Sequence, residues 1–398
     1  MTDYSSQDES SNCCCEPPPS ISKKRKNLHV YIPIEWRSDV IPPPPPPPPP
    51  SDKAIKNKPN LTIVLANGTS MVKVSQMCSS TYDYYEYKLT KLDDFLALAE
   101  YYENHLNHKK RSNIDFPLIS KLAPHLYELN SLVGMEQVKE QIVSLVLFFI
   151  QKLDNINYDM LHSVIYGSPG VGKTRLIYIL ANIFACLGIT QTAKVTFVKR
   201  ADLIGQYLGQ TAVKTKKVLE DACGGVLVID EAYSLGDTEQ RDSFSRECID
   251  TLNQYLSECR RDLICIIAGY KDDLESRFFK TNAGLKRRFA FQYTIPDYTP
   301  EQLREIFIQT VKSCEWNIED GTASIQFFEE NHHHFEHNGG DMELLFAKIK
   351  FEHARRVFSG RPADRKIITR QDMEAGMEKF LENIVKKKED APPPMMYT

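Results

Sequence analysis

The stretch GSPGVGKT, Gly167 to Thr174, has the glycine spacing that lets consecutive backbone N–H groups converge on phosphate oxygens. It follows the apolar run SVIY and precedes RLIYILANIFACLG, a strand-turn-helix placement that adds the partial positive charge of a helix N-terminus. In such a loop Gly167, Ser168, Pro169, Gly170, Val171 and Gly172 wrap the phosphates of a nucleotide such as ATP, with Arg175 just inside the helix. Lys173 reaches the β- and γ-phosphates, and Thr174 offers its hydroxyl to Mg²⁺. Downstream, GGVLVIDEAYSL sets two carboxylates after four apolar residues. Asp230 is thereby delivered to a sheet edge, where it can hold Mg²⁺ through water, and Glu231 follows, placed to polarise an attacking water. A strand-end carboxylate is often only a cap, but an Asp-Glu pair after a phosphate loop points to hydrolysis rather than binding alone.

These residues need a scaffold that brings separate strand ends together. The runs HSVIYG, KVTFV, GVLVID, LICIIAG and FQYTI are apolar throughout and alternate with helical patterns. Strands apolar on both faces with helices between them predict a parallel sheet sandwiched by helices. After Pro296 no strand is predicted. YTPEQLREIF instead opens a helix with Thr299 as N-cap, Pro300 at the first position and Gln302 completing a capping box. Helical spacing then continues to about Ile384, which predicts a small α-helical domain after the sheet. Upstream, LTIVLANGTSMVKV joins two β-prone runs through Asn67-Gly68, the pair suited to a type I′ hairpin. Apolar spacing from Lys88 to Lys110 predicts a helix.

The segments GSPGVGKT, ADLIGQYLGQTAVKTKKVLEDACGGVLVIDEAYSL, IIAGYKDDL and NAGLKRRF, in this order and spacing, resemble the CbxX/CfxQ family of AAA+ ATPases, which includes the red-type rubisco activases. The resemblance runs from about Asn113 to Arg356. It implies an AAA+ P-loop NTPase core followed by a helical lid, assembling into a hexameric ring that threads or tugs protein substrates. It also implies roles for single residues. Val133 and Gly134 in SLVGMEQVK would lie against adenine, and Tyr270 would occupy the sensor position where many AAA+ proteins place Asn. Arg288 resembles the arginine finger that reaches the neighbouring subunit's γ-phosphate, with Arg287, where the family usually has Ser, as a second candidate. Its planar, permanently charged fork suits that task. Tyr207, Leu208 and Gly209 resemble the first pore loop, whose aromatic ring faces the channel and grips an extended polypeptide. That would explain an aromatic flanked by Gly205 and Gly209; the alternative is a ring packed on its own subunit. The family commonly has Asn-Ala-Arg in the lid, its arginine touching ATP in cis, whereas the corresponding GGDMELL has Met342. On that reading the lid reports nucleotide state weakly.

The predicted division is a disordered tail over 1–58, a small β-hairpin and helix region over 59–112, the nucleotide-binding core over 113–296, the lid over 297–385 and a second tail over 386–398. The first tail holds KKRK and an unbroken proline run, Pro42 to Pro50, which adopts a polyproline II helix. The run serves as a stiff spacer or as the docking segment for a polyproline-binding partner. KKRK reads as a solvated basic cluster or a nuclear signal.

Of 398 residues, 42% are hydrophobic and 26% charged, and the net charge of -4 exerts no global pull towards nucleic acid or anionic lipid. The longest apolar run, VSLVLFFI, is far short of the roughly 20 residues of a membrane span. The acidic, polar N-terminus does not resemble a signal peptide, so the chain is expected inside the cell, in cytoplasm or nucleus, with the sequons at Asn60 and Asn67 inert. Ten scattered cysteines, including Cys13 to Cys15, fit a reducing compartment. The histidines His332 to His334 with Asp341 read as a solvated helix end, because adjacent helical side chains point in different directions. Two other functions remain open at this point: a DNA-processing ATPase of the same superfamily, for which KTKK at Lys214 to Lys217 is a short basic signal, and a nucleotide-gated scaffold without significant turnover.

Overall fold

The computed structural model describes residues 60–75, 77, 82–105, 111–155, 160–207, 209–236, 242–258, 263–358 and 365–389. The proline run, KKRK, Cys13 to Cys15, Leu106 to Lys110 and the chain after Glu389 lie outside the described residues.

Five strands form one parallel sheet in the spatial order Phe291–Thr294, Ser163–Tyr166, Ile264–Gly269, Val226–Asp230 and Val195–Val198. All five coincide with the apolar runs of the sequence. Their alternation explains why each run is apolar throughout, since successive side chains point to opposite faces. Ile165, Val226, Val228, Ile264 and Ile266 enter one core with Leu176, Leu180 and Phe184 of the helix Lys173–Cys186. Val164, Tyr166, Leu227, Ile229 and Ile267 enter the other, with Ile249, Leu252 and Leu256 of the helix Ser243–Glu258. A sheet covered on both faces leaves its ends as the places where polar groups can gather.

The helices Phe116–Asn130 and Leu92–His105 extend the first core outward. The latter starts at Leu92 rather than Lys88 because the Asp94 carboxylate accepts hydrogen bonds from the N–H groups of Thr90 and Lys91. The predicted hairpin is present, with Leu61–Val64 paired antiparallel to Ser70–Lys73, but its turn is longer than type I′. Only Gly68 takes positive φ (79°), and the Gly68 N–H donates to Leu65 O while the Leu65 N–H donates to Thr69 O. This is the longer hairpin loop that ends in a left-handed glycine. The Asn67 side chain is used instead to accept from Thr69 and to donate to Asp94.

Beyond the sheet, helices Pro300–Ser313, Ile325–Asn331, Asn338–Arg356 and Arg370–Glu389 form the lid. Thr299 and Gln302 make the predicted capping box. Strands do not stop at Pro296, however: Asn317–Ile318 and Ile367–Ile368 form a short parallel pair that sequence periodicity is too brief to reveal. Asp372 fastens this domain. Its carboxylate accepts from Arg356 Nε and Nη2 (2.8 Å each), lies 3.0 Å from His353 Nδ1 and accepts from the Thr369 N–H and hydroxyl. Burial alone would push this carboxyl up, but the hydrogen bonds from Arg356, His353 and Thr369 hold it well below the usual carboxylate range. A depressed carboxyl stabilises the fold above its unfolded pKa, and that stability is lost as pH falls towards the folded value. Asp372→Asn should therefore cost about 3 kcal/mol at neutral pH and flatten the loss of stability below roughly pH 4. Urea unfolding at several pH values measures both, and an unchanged neutral midpoint would contradict the role.

Among the described residues no helix is long and apolar enough to cross a membrane.

Candidate nucleotide site

Parallel strands place all their C-terminal ends on one edge, and the chemistry-bearing residues gather there. The phosphate loop leaves Tyr166, which pairs with Gly269, and the Gly167 N–H donates to Gly269 O at 3.2 Å. Asp230 pairs with Ala268 at the same level. Gly170 and Gly172 hold φ of 74° and 90°, conformations that side chains with a Cβ rarely adopt, and they turn the loop into the helix that begins at Lys173. The N–H groups of Ser168, Gly170, Val171 and Gly172 donate to no acceptor among the described residues. A row of N–H groups without a protein partner at a helix start fits phosphate oxygens.

Lys173 Nζ donates to the carbonyls of Gly167 (2.8 Å) and Ser168 (2.9 Å). Burial draws this lysine down, against the pull of Asp230 and Glu231. Glu231 moves the other way: burial and then the charge of Asp230 raise its carboxyl, with Lys173 and Lys199 opposing. It sits at a left-handed φ of 54°, a conformation that costs energy in any residue but glycine and that recurs at functional sites. Thr174 is exposed and Asp230 half-buried, so a hard oxygen donor set suited to Mg²⁺ is present in these residues. The Tyr270 ring lies 5.9 Å from Lys173 Nζ and 6.2 Å from the Tyr233 ring.

The other predicted residues fall in different places. Val133 is buried and Gly134 takes φ 66°, its α-carbon close to the Gln302 side chain of the first lid helix. The neighbouring Met135 methyl reaches Gly172. The segment thus lies between loop and lid. Arg175 turns away, with Nη2 3.3 Å from Ser131 Oγ and Nε 3.8 Å from Glu128. Arg288 stands before the strand Phe291–Thr294 and so at the opposite edge from the phosphate loop. Its guanidinium donates to Ser257 Oγ (2.7 Å) and Gly284 O (2.6 Å), whereas Arg287 is exposed. Tyr207 is 69% exposed in the loop between helices Arg200–Leu203 and Thr211–Asp221, and Gly209 beside it takes φ 81°. Leu208 lies outside the described residues.

Met342 does not occupy a nucleotide-facing position. Its side chain is fully buried in the lid core, because the helix Asn338–Arg356 approaches the loop end-on rather than by its side. Asn338, Gly339 and Tyr298 make the contacts instead, and sequence reading missed all three. The signal was present as Asn-Gly-Gly, a left-handed start to a helix. Asp341 is likewise buried, accepting from the His337 N–H, whereas His332 is exposed with its Nε2 3.0 Å from Tyr298 O, so the solvated helix end holds for His332 but not for Asp341.

The sequence model of the ATPase family associated with various cellular activities (AAA) matches residues 163–296. A cfxQ-like protein of Acanthamoeba polyphaga mimivirus is 37% identical over 292 residues, 73% of this chain and 72% of that protein. A CfxQ homolog of Galdieria sulphuraria is 34% identical over 286 residues, covering 69% and 92%. The chloroplastic ribulose bisphosphate carboxylase/oxygenase activase of Cyanidioschyzon merolae is 42% identical over 178 residues, covering 43% and 60%.

Proposed function

The chain belongs to the CbxX/CfxQ family of AAA+ ATPases, and we propose that it hydrolyses ATP as a homohexameric ring to pull on a protein substrate. The observation that carries this reading is the meeting of unpaired loop amides, Lys173, Asp230 and Glu231 at one edge of the sheet. The loop amides and Lys173 bind the phosphates. Glu231, its proton affinity raised by burial, orients the attacking water and accepts its proton. Thr174 and Asp230 would hold Mg²⁺, which when bound would supply positive charge against the transferred phosphoryl group. Val133 and Gly134 line the base pocket, and Tyr270 orients the γ-phosphate from above. Arg288, on the far edge of its own sheet, serves a neighbouring subunit's site; that separation from its own loop is what a residue acting in trans requires.

Tyr207, Leu208 and Gly209 grip substrate in the central channel. The large exposure of Tyr207 supports this over self-packing. Tyr207→Ala should leave the melting temperature and basal ATP hydrolysis unchanged while removing stimulation by an unfolded protein substrate. Tyr207→Phe should retain most of it, since gripping uses ring area. A ring packed on its own subunit would instead cost roughly 3–5 kcal/mol on truncation, so a marked drop in melting temperature for Tyr207→Ala would sink the assignment.

A further inference from the structure

Every carbonyl from Gly167 to Gly172 is taken by a donor. Lys173 Nζ holds the first two, and the Leu176 N–H takes Gly172 O at 3.1 Å, within the helix that follows. The three between them are held from outside the loop. Asn338 Nδ2 donates to Pro169 O (3.4 Å), the Gly339 N–H to Gly170 O (3.1 Å) and the Tyr298 hydroxyl to Val171 O (2.8 Å). Asn338 is the hub. Its amide also donates to Asp297 Oδ1 (3.1 Å) and accepts from the Tyr298 N–H (3.0 Å), while its backbone holds a left-handed φ of 49° with 4% exposure. The approach is too close for larger residues: a Cβ on Gly170 would stand 1.9 Å from His337 O.

A peptide unit is planar and trans, so fixing a carbonyl on one side fixes the following N–H on the other. The carbonyls of Pro169, Gly170 and Val171 point to the lid and its linker; the N–H groups of Gly170, Val171 and Gly172 are thereby turned away from them. These are three of the amides that lack an acceptor. We infer that Asn338 is a positioning residue through which the lid holds the phosphate loop in its phosphate-accepting conformation. The inference rests on the reading of that loop as a nucleotide site. Because coupling between two sites is reciprocal, bound phosphate must in turn favour lid contact, so the lid senses nucleotide through this amide without an arginine.

The test uses Asn338→Gly, which keeps left-handed φ without strain and removes only the amide. A fluorescent ADP is titrated, and hydrogen exchange at residues 338–343 is followed with and without ADP. The expected result is about tenfold weaker ADP binding and loss of the ADP-induced slowing of exchange seen in the wild-type chain, with a lower melting temperature because the Tyr298 N–H loses its buried partner. Tyr298→Phe, which removes one hydroxyl, should weaken binding in the same direction by less. Wild-type affinity and wild-type lid protection in Asn338→Gly would overturn the inference while leaving the nucleotide reading intact. Failure of the wild-type chain itself to bind ADP, or binding untouched by Lys173→Ala, would bring down both.

Discussion

Glu231→Gln should bind ATP as tightly as the wild-type chain and turn it over roughly 10²–10⁴-fold more slowly, the usual contribution of a positioned general base. Amide and carboxylate have nearly the same shape, so the loop, Lys173 and Asp230 stay in place. Only the proton acceptor is lost. The pH profile adds a second readout. Turnover that needs ionised Glu231 falls as this carboxylate protonates, so the acid limb of the wild-type profile should disappear in the variant. Equal losses of binding and turnover, or an unchanged acid limb, would remove Glu231 from the role of base.

Arg288→Ala should lower turnover by about 10³–10⁵-fold while sparing nucleotide binding, since an arginine supplied to the transferred phosphoryl group stabilises charge that exists only in the transition state. The local structure sets a condition on this. To reach a neighbour, the guanidinium must leave Ser257 Oγ and Gly284 O, which costs roughly 1–3 kcal/mol and is recovered against a phosphate. If those bonds are the purpose of Arg288, its removal will lower the melting temperature, and the large turnover loss will appear in Arg287→Ala instead. The two single variants, assayed for turnover and thermal unfolding together, separate the cases.

The five core strands and the phosphate loop were legible because both depend on local pattern: unbroken apolar runs for strands buried on two faces, and glycines where φ is positive. The capping box at Thr299 was legible for the same reason. The strand pair Asn317–Ile318 and Ile367–Ile368 was not, because two residues carry no period and the partners lie far apart in sequence. The left-handed Asn338 and the hydroxyl of Tyr298 act only after the lid has folded back onto the loop, a contact across more than a hundred residues. The resemblance set Met342 where the family has its lid arginine; that side chain lies in the core, and Asn338 and Gly339 at the helix start meet the loop instead. The pore-loop reading of Tyr207 rests on the family resemblance; the flanking glycines left self-packing open, and the structure adds that the ring is exposed.

The proposed ring requires that each hydrolytic site be completed between two copies of the chain. Mixing Lys173→Ala subunits, which keep Arg288 but bind ATP poorly, with Arg288→Ala subunits, which keep the loop, tests it in a single ATPase titration. Each variant alone should be nearly inactive. Co-assembled at equal amounts in a ring of head-to-tail interfaces, about a quarter of the junctions pair an intact loop with an intact arginine, and turnover should rise towards that fraction of wild type. Turnover that stays at the level of the separate variants, in rings shown by mass to contain both, would contradict a shared site and leave Arg288 acting within its own subunit.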